Sequence, residues 1–116
     1  MKVLIIEDEN AAARRLEKLL TELDSAILVL EKLDTVEMAV TWLQSNPQPD
    51  LIFLDIHLAD GSSFDIFEHV SITCPVIFTT AYDEYALQAF KVNAVDYLLK
   101  PIKNSELASA LEKYKQ

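Results

Sequence analysis

The sequence predicts an α/β fold built on five parallel strands, and three observations carry that prediction. Short β-branched runs alternate with stretches of helical period along the whole chain, the mark of a parallel sheet with crossover helices. The run Leu51-Ile52-Phe53-Leu54 is apolar at every position, as suits a strand covered on both faces. The runs also end in chemistry: Glu7-Asp8 follows the first, Asp55 the third and Lys100 the fifth, while Thr79-Thr80 closes the fourth.

Taken in order, the first strand covers residues 2–6. The helix after it carries Ala12, Leu16, Leu19, Leu20 and Leu23 at i, i+4, i+7, i+8 and i+11, an apolar face opposite charged Arg14, Arg15, Glu17 and Lys18. Residues 27–33 read as the second strand, whose Glu31 and Lys32 suit a partly exposed edge. A helix over 36–44 turns Met38 or Ala39, Trp42 and Leu43 inward. Asn46-Pro47-Gln48-Pro49-Asp50 stops it, because proline lacks a donor and restricts its predecessor. The third strand, 51–54, leads to an Asp60-Gly61 turn, where the only glycine of the chain is the natural site for positive φ. A helix over 63–70, a strand over 76–79, a helix over 83–91, a strand over 94–99 and a helix over 104–114 complete five βα units. The helix over 83–91 places Ala86, Ala89 and Phe90 on its core face.

For five such units the expected strand order is 2-1-3-4-5, the flavodoxin-like doubly wound sheet with helices on both faces. That order makes strands 1 and 3 neighbours. Ligands of such sheets bind beyond the carboxyl ends of the strands, so Glu7, Asp8 and Asp55 are expected to meet there.

Composition narrows the function. A chain of 116 residues that is 51% hydrophobic is enough for one domain, expected over 1–116 with no repeat, linker or second domain. Helix 5 ends where an output domain would join, so an excised domain is as consistent with the sequence as a standalone one. A net charge of −9 and a pI near 4.5 argue against direct gripping of a nucleic acid backbone. No apolar run approaches the ~20 residues that span a bilayer, and Met1-Lys2-Val3 leads straight into a strand without a signal peptide. The single cysteine, Cys74, sits in apolar Cys74-Pro75-Val76 and reads as a reduced packing residue. A cytoplasmic location is expected.

One glycine cannot build a G-x-G-x-x-G or a P-loop, and Glu7-Asp8-Glu9 after the first strand would repel the bare phosphate of a flavin nucleotide. Acid at that position favours a hard cation, and Mg²⁺ takes oxygen ligands. Asp55 is the candidate nucleophile, a carboxylate able to become an aspartyl phosphate once the incoming charge is neutralised. A cation held by Asp8 and Asp55 would neutralise it from one side and Lys100 from another. Thr80 could donate its hydroxyl, and small Ala81 leaves room for the group to enter. Each has a plainer alternative: a turn-capping aspartate, a solvated lysine, Thr80 as an N-cap for the fourth helix. Four strand ends carrying a mutually compatible set outweigh those alternatives.

These residues resemble the receiver domain of bacterial two-component response regulators. The matching motifs are IIEDE at 5–9, LIFLDIHLADG at 51–61, FTTAY at 78–82 and VDYLLKP at 95–101, in order along the whole chain. The stretch AYDEYALQAFKVNAVDYLLKP looks in particular like receivers of the LytTR group, which usually precede a DNA-binding domain. The resemblance implies phosphorylation at Asp55 and Mg²⁺ bound by Asp8, Asp55 and the backbone carbonyl of His57, with Glu7 acting through water. It implies phosphoryl contacts from Thr80 and Lys100, an aromatic switch at Tyr97 coupled to Thr80, and a cis Lys100-Pro101 bond. A sensor histidine kinase would be the donor and the domain itself no enzyme in the ordinary sense. A phosphorylation-dependent homodimer would use helix 4, strand 5 and helix 5, with Leu87 and Tyr85 as contact residues. Two departures stand out: Glu7-Asp8 replaces the common pair of aspartates, and Ala59 stands where many members have proline, suggesting a looser loop.

His57 has no second histidine or cysteine nearby in sequence, so its side chain is expected to face solvent, as is that of His69. Two rival readings are a Mg²⁺-dependent phosphohydrolase using Asp55 as nucleophile and a pseudo-receiver that never needs phosphate. The chain has no insertion large enough for a hydrolase cap, and the complete residue set argues against the second.

Overall fold

The computed structural model describes residues 1–115; the side chain of Leu87 lies outside the described set. Strand β1 (Lys2–Ile6) is followed by α1 (Asn10–Leu23), β2 (Leu28–Leu33), α2 (Val36–Ser45) and β3 (Leu51–Leu54). A short hairpin, β4 (His57–Leu58) and β5 (Gly61–Ser62), precedes α3 (Phe64–His69) and β6 (Val76–Thr80). The chain closes with α4 (Ala86–Lys91), β7 (Asp96–Leu99) and α5 (Asn104–Lys115). The main sheet is parallel with order β2-β1-β3-β6-β7, the predicted order once the separate hairpin strands are set aside.

The period-2 pleat of the three central strands divides the core in two. Val3, Ile5, Leu51, Phe53 and Ile77 point to one face, where α1 supplies Ala13, Leu16 and Leu20 and α5 supplies Leu107, Ala110 and Leu111. Leu4, Ile6, Ile52, Leu54 and Phe78 point to the other, against Ala39 and Leu43 of α2, Ile66 of α3 and Ala89 of α4. Both faces are apolar because both are covered.

Several local expectations are corrected. On α1 the buried residues are Ala13, Leu16 and Leu20, and Leu23 is 40% exposed. The inward stripe therefore runs through Ala13 rather than Ala12 and ends a turn before the helix does. On α2 Ala39 rather than Met38 faces the core. Helix α4 begins at Ala86, three residues later than its period suggested, because residues 82–85 carry aromatic rings that pack over the site instead of a helical turn. Among its described side chains only Ala89 faces inward, while Ala86 is exposed and Phe90 is 80% exposed.

Helix α4 ends in a Schellman motif: the Ala94 amide donates to the Ala89 carbonyl at 3.2 Å and the Asn93 amide to that of Phe90 at 3.1 Å. Asn93 accordingly takes φ 61°, a left-handed conformation asparagine tolerates. Gly61, as expected, has positive φ, at 149°. The loop in which Ala59 suggested slack is a paired hairpin, His57 opposite Ser62 and Leu58 opposite Gly61. Among the described residues no helix is long and apolar enough to cross a membrane.

Candidate functional site

The register of the sheet gathers the site. Ile6 pairs with Leu54 across β1 and β3, so the next residues, Glu7 and Asp55, emerge side by side. Their backbones are pinned: the Glu7 amide donates to the Leu33 carbonyl at 2.8 Å, and that of Asp55 to the Ile6 carbonyl at 2.9 Å. Thr80 and Leu99 pair across β6 and β7, and the Lys100 amide donates to the Thr80 carbonyl at 2.8 Å. Four strand ends thus deliver two carboxylates, a hydroxyl and an ammonium to one edge, with Asp8 beside them.

Glu7 and Asp55 are nearly buried, 5% and 6% exposed, while Asp8 is exposed. One carboxylate oxygen from each of the three lies within 4.8 Å of the others. Lys100 Nζ donates to Asp55 Oδ2 at 2.9 Å and makes a second bond to Glu7 Oε1. Burial pushes the Glu7 carboxyl up to about 7, and the Asp55 charge adds to that rise against the opposing bond from Lys100. Burial works against the Lys100 charge, but its bonds to Glu7 and Asp55 outweigh it and raise the pKa of the ammonium. One ammonium among three carboxylates leaves the cluster acidic. Its all-oxygen donor set fits a hard divalent cation such as Mg²⁺.

Thr80 is fully buried, and its hydroxyl accepts from the Tyr82 amide at 3.4 Å. It is not the N-cap of α4, a position held by Tyr85. The Tyr97 hydroxyl donates to the Tyr82 carbonyl and so ties β7 to the same loop. His57 is exposed, but its imidazole does not simply face solvent: its ring centroid lies 4.5 Å from that of Tyr82 and 5.3 Å from that of Tyr85, edge-on to both. Its backbone opens β4, two residues beyond Asp55. Tyr85, expected at an outer surface, is half-buried beside His57 and Phe64. The Leu87 side chain, the other expected contact, lies outside the described residues. His69 is exposed with Nδ1 2.8 Å from the Asp65 carbonyl oxygen, away from the site. The Lys100-Pro101 bond is cis.

Two features went unread in the sequence. Glu7 is bonded directly to Lys100, and Asp60 caps the start of α2 from 23 and 24 residues away. The acidic run 7–9 marked the first only as metal-directed, and no local pattern marks the second.

Comparison with known proteins specifies the class to which a parallel sheet with this acidic, lysine-bearing edge belongs. Residues 3–112 match the response regulator receiver domain, and the chain belongs to that family. It is of the LytT/LytR type within it. It is 40% identical over 119 residues to the sensory transduction protein LytT of Bacillus anthracis, covering 100% of this chain and 48% of that one. To LytT of Enterococcus faecalis it is 42% identical, covering 97% and 47%. Among solved structures, the response regulatory domain of mrkE from Klebsiella pneumoniae superposes with a TM-score of 0.83 at 34% identity, covering 99% of this chain and 95% of that one. The chain spans about half the length of the curated relatives it matches. As a response regulator receiver domain it belongs to two-component signal transduction.

Proposed function

We propose that Asp55 accepts a phosphoryl group from a phosphohistidine on a sensor histidine kinase. The observation that carries this is Lys100, bonded at once to Asp55 and Glu7 inside an acidic pocket at the carboxyl edge of the sheet. An Asp55 carboxylate oxygen attacks phosphorus, the P–N bond breaks, and its electron pair leaves on the imidazole nitrogen, which takes up a proton. The Lys100 ammonium stabilises charge on the phosphoryl oxygens, and the Thr80 hydroxyl donates to another of them. Asp8, Asp55 and the His57 carbonyl would hold Mg²⁺, with Glu7 reaching it through water, and the cation supplies charge neutralisation and alignment.

The product adds ~2 negative charges beside Thr80 and Lys100, favouring a conformer in which both turn toward it. Lys100 gives up part of its hold on Glu7, and movement at Thr80 reaches Tyr82, to which the Tyr97 hydroxyl is bonded. The surface formed by α4, β7 and α5 carries the change outward, by self-association of the domain and to a DNA-binding output region in the cytoplasm. The length of the relatives beyond the matched half supports such a region.

Incubation with Mg²⁺ and a small acyl phosphate tests the assignment. The protein should gain ~80 Da on one residue, in a base-labile bond. Asp55→Asn should abolish the gain. A label that survives in Asp55→Asn refutes the acceptor, and sustained hydrolysis of phosphomonoesters would make the domain a phosphohydrolase instead.

A further inference from the structure

Asp60 lies in the turn of the β4–β5 hairpin and reaches across to helix α2. Its Oδ1 accepts from the Val36 amide at 2.6 Å and its Oδ2 from the Glu37 amide at 3.1 Å. The Thr35 hydroxyl already caps the same helix end, accepting from the Met38 amide at 3.0 Å. A helix start ordinarily finds its side-chain cap in its own N-cap residue. Here a carboxylate from another element satisfies two further amides that would otherwise lack intrahelical partners. Burial acts to raise the Asp60 pKa, but the bonds from Val36 and Glu37 outweigh it and hold the carboxyl below its usual range. The cap is therefore charge-assisted.

From that anchor a run of hydrogen bonds leads to Asp55. The hairpin pairs His57 with Ser62 and Leu58 with Gly61. Next to it the Ser63 amide donates to the Ile56 carbonyl at 2.8 Å. The Ile56 amide in turn donates to Asp55 Oδ1 at 2.7 Å. The direction of the Asp55 carboxylate is thus tied to the placement of the hairpin, and the hairpin to α2.

We infer that Asp60 is a positioning residue: by pinning the hairpin to α2 it fixes the Asp55 carboxylate and the backbone at His57 for the chemistry of the site. The inference rests on the function proposed above. Asp60 touches neither the phosphoryl group nor the cation. It acts because a productive site tolerates displacements of only ~0.5 Å, and a hairpin of two residue pairs does not hold that tolerance alone.

The experiment uses the full 116-residue chain with Asp60→Ala, Asp60→Asn and Thr35→Ala. Thr35→Ala removes a cap from the same helix end without touching the hairpin, so it separates a weakened α2 from a released hairpin. Asp60→Asn keeps one acceptor oxygen and serves if the alanine variant does not fold. Three quantities are read: amide exchange at Ile56 and Ser63 without metal or donor, Mg²⁺ affinity by calorimetry, and the rate of Asp55 labelling by an acyl phosphate. Asp60→Ala should speed exchange at both amides, weaken Mg²⁺ about tenfold, as loss of a group that orients a metal ligand does, and slow labelling. Asp60→Asn should fall between, and Thr35→Ala should leave all three near the parent. Parent-like exchange in both Asp60 variants, or a Thr35→Ala variant that reproduces their losses, overturns the inference. If the parent chain takes no label at Asp55, the proposed function fails, while the exchange arm still decides whether Asp60 holds the hairpin.

Discussion

Strands β1 and β3 on one side of the sheet, and α4 with β7 on the other, are packed to different degrees. Val3 to Ile6 and Leu51 to Leu54 are buried without exception, held between helices on both faces. Helix α4 is 6 residues long and, among its described side chains, buries Ala89 and leaves Phe90 in solvent. On β7, Tyr97 is half-buried and Leu99 is 43% exposed. The acidic cluster stands on the well-packed half, where strand register places Glu7 and Asp55 side by side. Elements with few buried apolar contacts occupy the low end of local stability and are the ones that move. On the proposed function, chemistry that needs fixed geometry and a response that needs an adaptable surface would have separate homes, joined at Lys100 and Thr80.

Truncating equal rings on the two sides should break the comparison most visibly if it is wrong. Phe53→Ala, in the fully buried centre of β3, should cost ~3–5 kcal/mol in urea unfolding. Phe90→Ala should stay within ~0.5 kcal/mol. Comparable losses would mean that α4 is anchored by contacts of the same order as β3.

Lys100→Ala probes the junction. Labelling by an acyl phosphate should slow ~10²–10³-fold, the usual loss for a group that stabilises developing charge, while Mg²⁺ binding survives. Retained labelling would assign the stabilisation elsewhere. Within the acidic half, Asp8→Ala should weaken Mg²⁺ about tenfold and Glu7→Ala by less, if Glu7 reaches the cation through water. Equal losses would make Glu7 a direct ligand.

The smallest effect concerns Cys74, half-buried in the segment before β6 and packed against the same core face as Ile52 and Leu54. Burial pushes its thiol up to about 11 from an ordinary value near 9. The neutral form is therefore favoured by the fold, and the stability it contributes is lost as pH rises through that interval. Alkylation near pH 8 should be slower than for an unfolded chain and accelerate as pH approaches 11. A thiol that reacts equally fast folded and unfolded would place Cys74 in a more open setting.

The two halves also differ in how far the sequence exposed them. Strand β3 was legible to the residue because an unbroken apolar run between Pro49-Asp50 and Asp55 has one reading, and the meeting of Glu7 with Asp55 followed from strand order. The α4 region was not. Its period suggested three more helical residues and an inward Phe90, whereas the rings of Tyr82 and Tyr85 pack on His57, a contact between segments 25 and 28 residues apart that no local pattern encodes. Asp60 escaped for the same reason: Asp-Gly announces a turn, and its helix-capping partners lie elsewhere in the chain.

Residue-resolved amide chemical shifts and exchange, measured with and without phosphorylation of Asp55, test the division most directly. Apart from residues touching the phosphoryl group, changes should concentrate between Thr80 and Lys103 and along α5, while the interiors of β1 and β3 keep their parent values. Changes spread evenly over the sheet, or confined to α1 and α2 with α4 and β7 silent, would contradict a fixed acceptor half driving a responsive one.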